Sequence, residues 1–274
     1  MRGGRLYWGG MGVEEEWADI VCMMCGVVAG LGVFVPSSGA AAPPSPEGRR
    51  EARYFFMFAN SRVVESSQTA PHPRLREIVV RHLDMPYRRA PSEAGRAAFA
   101  TVVERLQEPF VLDAGCGTGA STLALARLFP QHVVLGVDKS AARLATSQRA
   151  LEAERSCANA ILLHCELVDF WQLAAAAGLR CARQFLLYPN PWPKPEHVMR
   201  RWHAHPVLPC MLALGGAIEL RTNWQVYAQE FAQALRIAGV EIECSALDIG
   251  PQPLTPFERK YAASRHTLWR CGGV

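Results

Sequence analysis

From Phe110 to Ser121 the chain reads FVLDAGCGTGAS. Phe110, Val111 and Leu112 form an apolar strand that runs into Asp113. Gly115, Gly117 and Gly119 then let the backbone turn tightly and come close to a ligand. A helical pattern begins at about Ala120. Strand, glycine-rich turn and helix in this order make a nucleotide-type cofactor turn.

The dinucleotide fingerprint places its third glycine three residues after the second, whereas Gly119 follows Gly117 by two. That spacing favours S-adenosylmethionine over NAD, with Asp113, Gly115, Gly117 and Gly119 as candidate cofactor-binding residues. The next apolar strand, Val133 to Val137, ends on Asp138, where a carboxylate can accept hydrogen bonds from both ribose hydroxyls. A third, Ala160 to Leu163, is followed by His164, Cys165 and Glu166, and Glu166 is placed to meet the adenine edge. Further strands are expected at Pro109 to Asp113, Gln184 to Tyr188 and Ala217 to Thr222, with helices between. Such alternation predicts an α/β fold, a parallel sheet with helices on both faces that binds ligands beyond the carboxyl ends of its strands.

The strand at Gln184 to Tyr188 leads into LLYPNPWPKPEH, Leu186 to His197. Its prolines fix the backbone, so Asn190, Trp192 and Lys194 are held in place beside the cofactor crevice. Downstream, MRRWHAHP sets Arg200, Arg201, His203 and His205 around Trp202, a mixture suited to phosphate contacts and base stacking. The histidine spacing matches no common metal-ligand pattern. After the fifth strand, Thr222 and Asn223 stand at a helix entrance. Near the end, TPFERKYAASRHTLWR offers Thr255, Glu258, Arg259 and Lys260 as a polar rim before a closing strand at His266 to Arg270.

A chain of 274 residues, half of them hydrophobic and 20% charged, suits one main globular domain. The net charge of +4 is too mild to argue for nucleic acid by itself, so polyanion contacts must come from local clusters. Nine cysteines scattered through apolar stretches point to buried reduced thiols and a cytoplasmic protein. Cys22 and Cys25 form a CxxC with no second pair at zinc spacing, so no metal is expected. Residues 1–56 read as an extension. Ile20 to Val35 is a short apolar run preceded by Glu14, Glu15, Glu16 and Asp19, a poor fit to a signal peptide or membrane span. A Pro/Ser/Ala linker, Pro36 to Pro46, follows, and the native start is expected near Met57. Residues 57–108 are helical and arginine-dotted, a basic helical arm or a solvated face, ahead of the catalytic domain at 109–274.

Taken together, DAGCGTG, GVDKS, YPNPWPKPEH followed by Arg200 and Arg201, RTNWQVYAQ and TPFERK resemble the bacterial tRNA (guanine-N7-)-methyltransferases, from about Asn60 to Arg270. The resemblance implies a seven-stranded Rossmann-like S-adenosylmethionine-dependent sheet. Within it Asp113, Asp138, Glu166 and Asn190 line the cofactor, while Lys194, Asn223, Thr255, Pro256, Phe257 and Glu258 face a guanosine of tRNA. It implies no metal and no obligate protein partner. Asn190 and Asn223, the candidate catalytic residues, stand where the family usually carries aspartate. N7 is already nucleophilic and needs no general base, so transfer depends on alignment with the sulfonium methyl. Loss of a carboxylate field worth about 3 kcal/mol would slow it roughly a hundredfold. Two alternatives stand beside this reading. One is a methyltransferase acting on an exocyclic base amine, with Asn190, Pro191 and Trp192 as the amine-binding loop. The other is a non-catalytic RNA-binding relative that keeps the cofactor pocket.

Overall fold

A computed structural model describes residues 61–85, 87–146, 157–250 and 252–273. The expectations for residues 1–56, for the CxxC and for a start at Met57 fall outside them.

Seven strands make one sheet in the order β3-β2-β1-β4-β5-β7-β6. They are β1 (Phe110–Ala114), β2 (Val134–Asp138), β3 (Ala160–His164), β4 (Cys181–Leu187), β5 (Ala217–Thr222), β6 (Glu243–Ala246) and β7 (Trp269–Gly272). The first five pair in parallel. Every residue of β1 and β2 is buried, as continuous apolar strands covered on both faces require. The order reverses between β1 and β4, which opens a crevice at the carboxyl ends of those two strands.

The last two strands depart from the parallel pattern. β7 lies antiparallel between β5 and β6, and it occupies 269–272 rather than the expected 266–270. β6 had no strand signal: at the sheet edge three of its four residues are exposed and the fourth, Cys244, is half-buried, without apolar alternation. Pairing places Cys244 opposite Cys271, and the two form a disulfide. This corrects the expectation that the thiols are all reduced and removes its support for a cytoplasmic location. Cys116, Cys165, Cys181 and Cys210 are not in disulfides. Among the described residues no helix is long and apolar enough to cross a membrane.

Alternation along β1 divides the core. Phe110, Leu112 and Ala114 face the larger apolar layer, and Val111 faces the smaller. The smaller side is covered by α3 (Ala120–Leu128) through Leu123, Leu125 and Ala126. On the larger side lie α4 (Leu167–Ala176), α5 (Leu208–Ala213) and α6 (Gln225–Ile237), joined by α1 (Leu75–Asp84) and α2 (Glu93–Ala100). Leu75, Ile78 and Val79 of α1 and Phe99 of α2 are buried in that core. The stretch read as a basic arm is thus a packed layer, because its apolar residues recur at helical spacing and form one buried stripe. Its arginines Arg76, Arg81, Arg88 and Arg89 remain exposed.

Candidate active site

At the end of β1 the glycines divide into two kinds. Gly115 and Gly117 have φ of +78° and +60°, and a Cβ on either would meet nothing within 4 Å. Here glycine permits the turn and leaves an open cradle. Gly119 has φ +81°, and its Cβ would come 2.8 Å from Leu162, so this glycine also lets α3 approach the sheet. Gly136 on β2, which the sequence reading passed over, does the same against the Thr122 hydroxyl, 2.2 Å from its would-be Cβ.

Asp138 closes one side of this cradle. Its carboxylate accepts from the Gly117 amide at 2.9 Å and the Ser140 amide at 2.8 Å. One hydrogen bond on each oxygen leaves acceptor capacity for a ribose diol. Asp113 lies deeper, fully buried, where one oxygen accepts from the Ser121 and Thr122 hydroxyls at 2.6 and 2.7 Å. Burial pushes its pKa up to about 6 against the pull of those hydroxyls. Asp113 pins the first turn of α3 beneath the cradle, and its side chain supports the turn. Glu166, just after β3, is exposed with Lys139 at 4.0 Å. The open glycine positions and the Asp138 carboxylate fit a nucleoside-bearing cofactor.

Across the crevice, the loop after β4 is held by side chains from distant segments. Three successive carbonyls are captured: Trp192 and Lys194 by the Arg201 guanidinium at 3.0 and 3.2 Å, and Pro193 by the Ser66 hydroxyl at 2.5 Å. Tyr188 and Trp192 adopt φ of +53° and +46°, a region costly for residues with a side chain and maintained only where surroundings enforce it. Asn190 is exposed, and its Oδ1 accepts weakly from the Trp192 amide at 3.4 Å. Lys194 is exposed, and the Arg200 guanidinium lies over the Trp192 ring at 4.8 Å.

Arg201 and His203 are not surface cations, which corrects the reading of MRRWHAHP as a basic patch. Both side chains are buried around Glu230 of α6, whose carboxylate meets Arg201 at 2.5 Å and His203 at 3.0 Å. Its other oxygen accepts from the Gln68 side chain at 2.6 Å and the His72 amide at 2.8 Å. Arg201 also lies 4.8 Å over the Trp224 ring. Burial alone would raise the Glu230 pKa, but His203 and Arg201 bring it down to about 2. Burial also keeps His203 below the usual histidine range. A signal was present in the sequence: Glu230 falls on the stripe of Val226, Tyr227, Phe231 and Ala234, where a lone carboxylate implies a buried partner.

The TPFE element is divided in the same way. Thr255 and Glu258 are buried and engaged internally. The Thr255 hydroxyl caps α7 (Pro256–Ala263) by accepting from the Glu258 amide at 3.0 Å. The Glu258 carboxylate takes the Arg221 guanidinium at 2.8 Å and the Leu254 amide at 2.7 Å. Arg221 is shared with Glu219 at 2.7 Å. Only Pro256 and Phe257 are exposed, and Phe257 shares an aromatic ridge with Tyr188 and Tyr261. Asn223, half-buried, stands just past β5, beside the strand that leads to Asn190. Thr255→Val is therefore expected to lower stability by about 1 kcal/mol through loss of the cap, measured by thermal denaturation.

Crevice, cradle and clamped loop define a Rossmann-like methyltransferase. The family model described as "Putative methyltransferase" matches residues 107–271, and the chain belongs to that family. Among its relatives is the tRNA (guanine-N(7)-)-methyltransferase of Leifsonia xyli subsp. xyli, 28% identical over 59% of this chain and 74% of the relative. The protein of that name from Shewanella pealeana is 27% identical over 58% and 70%. That from Mycolicibacterium gilvum is 32% identical over 57% of this chain and 63% of its own length.

Proposed function

We propose that this protein transfers the methyl group of S-adenosylmethionine to N7 of a guanosine in tRNA. The observation that carries the reading is the clamped PNPWPK loop facing the open glycine cradle across the switch point, in a chain whose relatives bear that name. The cofactor supplies an electrophilic methyl on a sulfonium. Asp138 holds its ribose, Gly115 and Gly117 admit it closely, and Glu166 stands near the adenine. Asn190 and Asn223 orient the guanine ring, and the exposed Phe257 ridge offers a face for stacking an unpaired base. N7 needs no proton removed, so the fixed loop contributes alignment.

Exposed arginines of α1 continue toward this site, since the Arg81 guanidinium reaches the Met199 sulfur at 3.6 Å. Together with Lys194 and Arg200 they form a surface suited to RNA phosphates. Removing Lys194 or Arg200 is expected to reduce the slope of log affinity against log salt by about 1 each, measured by filter binding across a salt series. An unchanged slope in both would remove them from the RNA surface. Nucleoside mass spectrometry of unmodified tRNA incubated with the full chain and S-adenosylmethionine tests the activity itself. The expected product is 7-methylguanosine. An N-methylated exocyclic amine, or no methylated nucleoside at all, would overturn the proposal.

A further inference from the structure

The backbone carbonyl of Ser61 can only accept a hydrogen bond, and Nε2 of His266 lies 2.9 Å from it. In a neutral ring the proton therefore sits on Nε2, which leaves Nδ1 as an acceptor. The atom facing Nδ1 is Nδ2 of Asn223, at 3.3 Å, and an amide nitrogen only donates. A fixed acceptor at Ser61 thus sets the tautomer of His266, and the tautomer sets which way the Asn223 amide points. Ser61 and His266 are themselves anchored. The Ser61 amide donates to the Ser264 hydroxyl at 3.0 Å, and the Tyr261 ring stacks on His266 at 5.2 Å and 15°.

With Nδ2 turned to the ring, Oδ1 of Asn223 is left over and accepts no hydrogen bond among the described residues. We infer that His266 is a positioning residue, which holds Oδ1 of Asn223 toward the target base as an acceptor for the N–H donors of guanine. The inference rests on the guanosine-N7 reading of this site. It accounts for an amide at a position that needs an acceptor: the polarity of one carboxylate oxygen is kept and the charge is not. Guanine offers N1–H and an exocyclic amine on the edge away from N7. At the same two positions adenine has an unprotonated N1 and a C2–H, its amine standing instead on C6, so an Oδ1 fixed opposite N1 and C2 selects guanine. An amide free to rotate would present its NH2 group equally well and accept adenine.

Two readouts test this on the full chain. In a two-bond 1H–15N spectrum of protein labelled at histidine, His266 is expected as the Nε2–H tautomer, and an Nδ1–H tautomer overturns the inference. Second, kcat/KM is measured on tRNA transcripts carrying guanosine or adenosine at the modified position. His266→Ala is expected to reduce the guanosine preference about tenfold or more, the worth of one oriented hydrogen bond. His266→Gln, whose amide offers Oε1 to Asn223 and Nε2–H to Ser61, is expected to restore it. An unchanged preference in a His266→Ala protein that melts with wild type overturns the inference. Wild-type protein that forms no 7-methylguanosine defeats the activity reading instead, and the tautomer remains the measure of the relay.

Discussion

Glu230→Ala is expected to destabilise the protein by about 3–5 kcal/mol, because the Arg201 guanidinium is left buried without its counter-charge. In a unit of this size that is a fall in Tm of about 10 °C. The Gln68 side chain, the His72 amide and the His203 ring lose their shared acceptor at once. A double variant separates stability from positioning. Arg201→Met with Glu230→Leu replaces the ion pair by apolar groups of similar volume, a change that often leaves stability near wild type. It nevertheless removes the donors that hold the Trp192 and Lys194 carbonyls. The expected result is a Tm above that of Glu230→Ala but short of wild type, since the Gln68, His72 and His203 groups stay without their acceptor, with kcat still depressed. A double variant with wild-type kcat would show that the loop does not need the clamp.

Acid should reveal the same cluster. Glu230 is pulled down to about 2 from an ordinary 4.5, so between those values the unfolded chain binds a proton that the native chain refuses. Stability from this group is fully present above pH 4.5 and is lost as pH falls toward 2, by about 3 kcal/mol. His203, also lowered, adds a loss of the same sign that begins below its ordinary 6.5. Asp113 runs the other way. Its pKa is raised to about 6, so its contribution is present at low pH and is lost as pH rises through that value. Denaturant titrations from pH 7 to pH 3 should show wild type losing stability below pH 4.5 more steeply than Glu230→Gln. Parallel curves would place the acid sensitivity elsewhere.

Asp138→Ala is expected to weaken S-adenosylmethionine binding about a hundredfold or more, measured by calorimetry. Two charge-assisted hydrogen bonds to a ribose diol are each worth about 1.5–3 kcal/mol, and every 1.4 kcal/mol is tenfold in Kd. The carboxylate also fixes the cradle, since the Gly117 amide donates to it and would be left unpaired. Glu166→Ala should cost far less, at most a few-fold, because that carboxylate is exposed to solvent. A Kd within threefold of wild type for Asp138→Ala would remove this residue from the cofactor site.

By itself the sequence determined the parallel half of the sheet and the cofactor crevice. Buried parallel strands are continuous apolar runs, a φ near +60° to +80° calls for glycine, and a carboxylate at a strand end is a local event; all three are written within a few residues of one another. The strand ending at Thr222 was legible to the residue, and those ending near Asp113 and Asp138 to within one. Only the tertiary structure decided which polar residues stand open at the crevice and which hold the fold. Glu258, Arg201 and His203 look functional in the chain, yet their partners lie on other elements, at Arg221 and Glu230, and Thr255 caps its own helix. The edge strand β6, the Cys244–Cys271 pair and the Ser61–His266–Asn223 relay likewise join residues brought together by sheet pairing and packing. Local pattern specifies backbone conformation and burial, whereas the direction of a hydrogen bond depends on the group across from it.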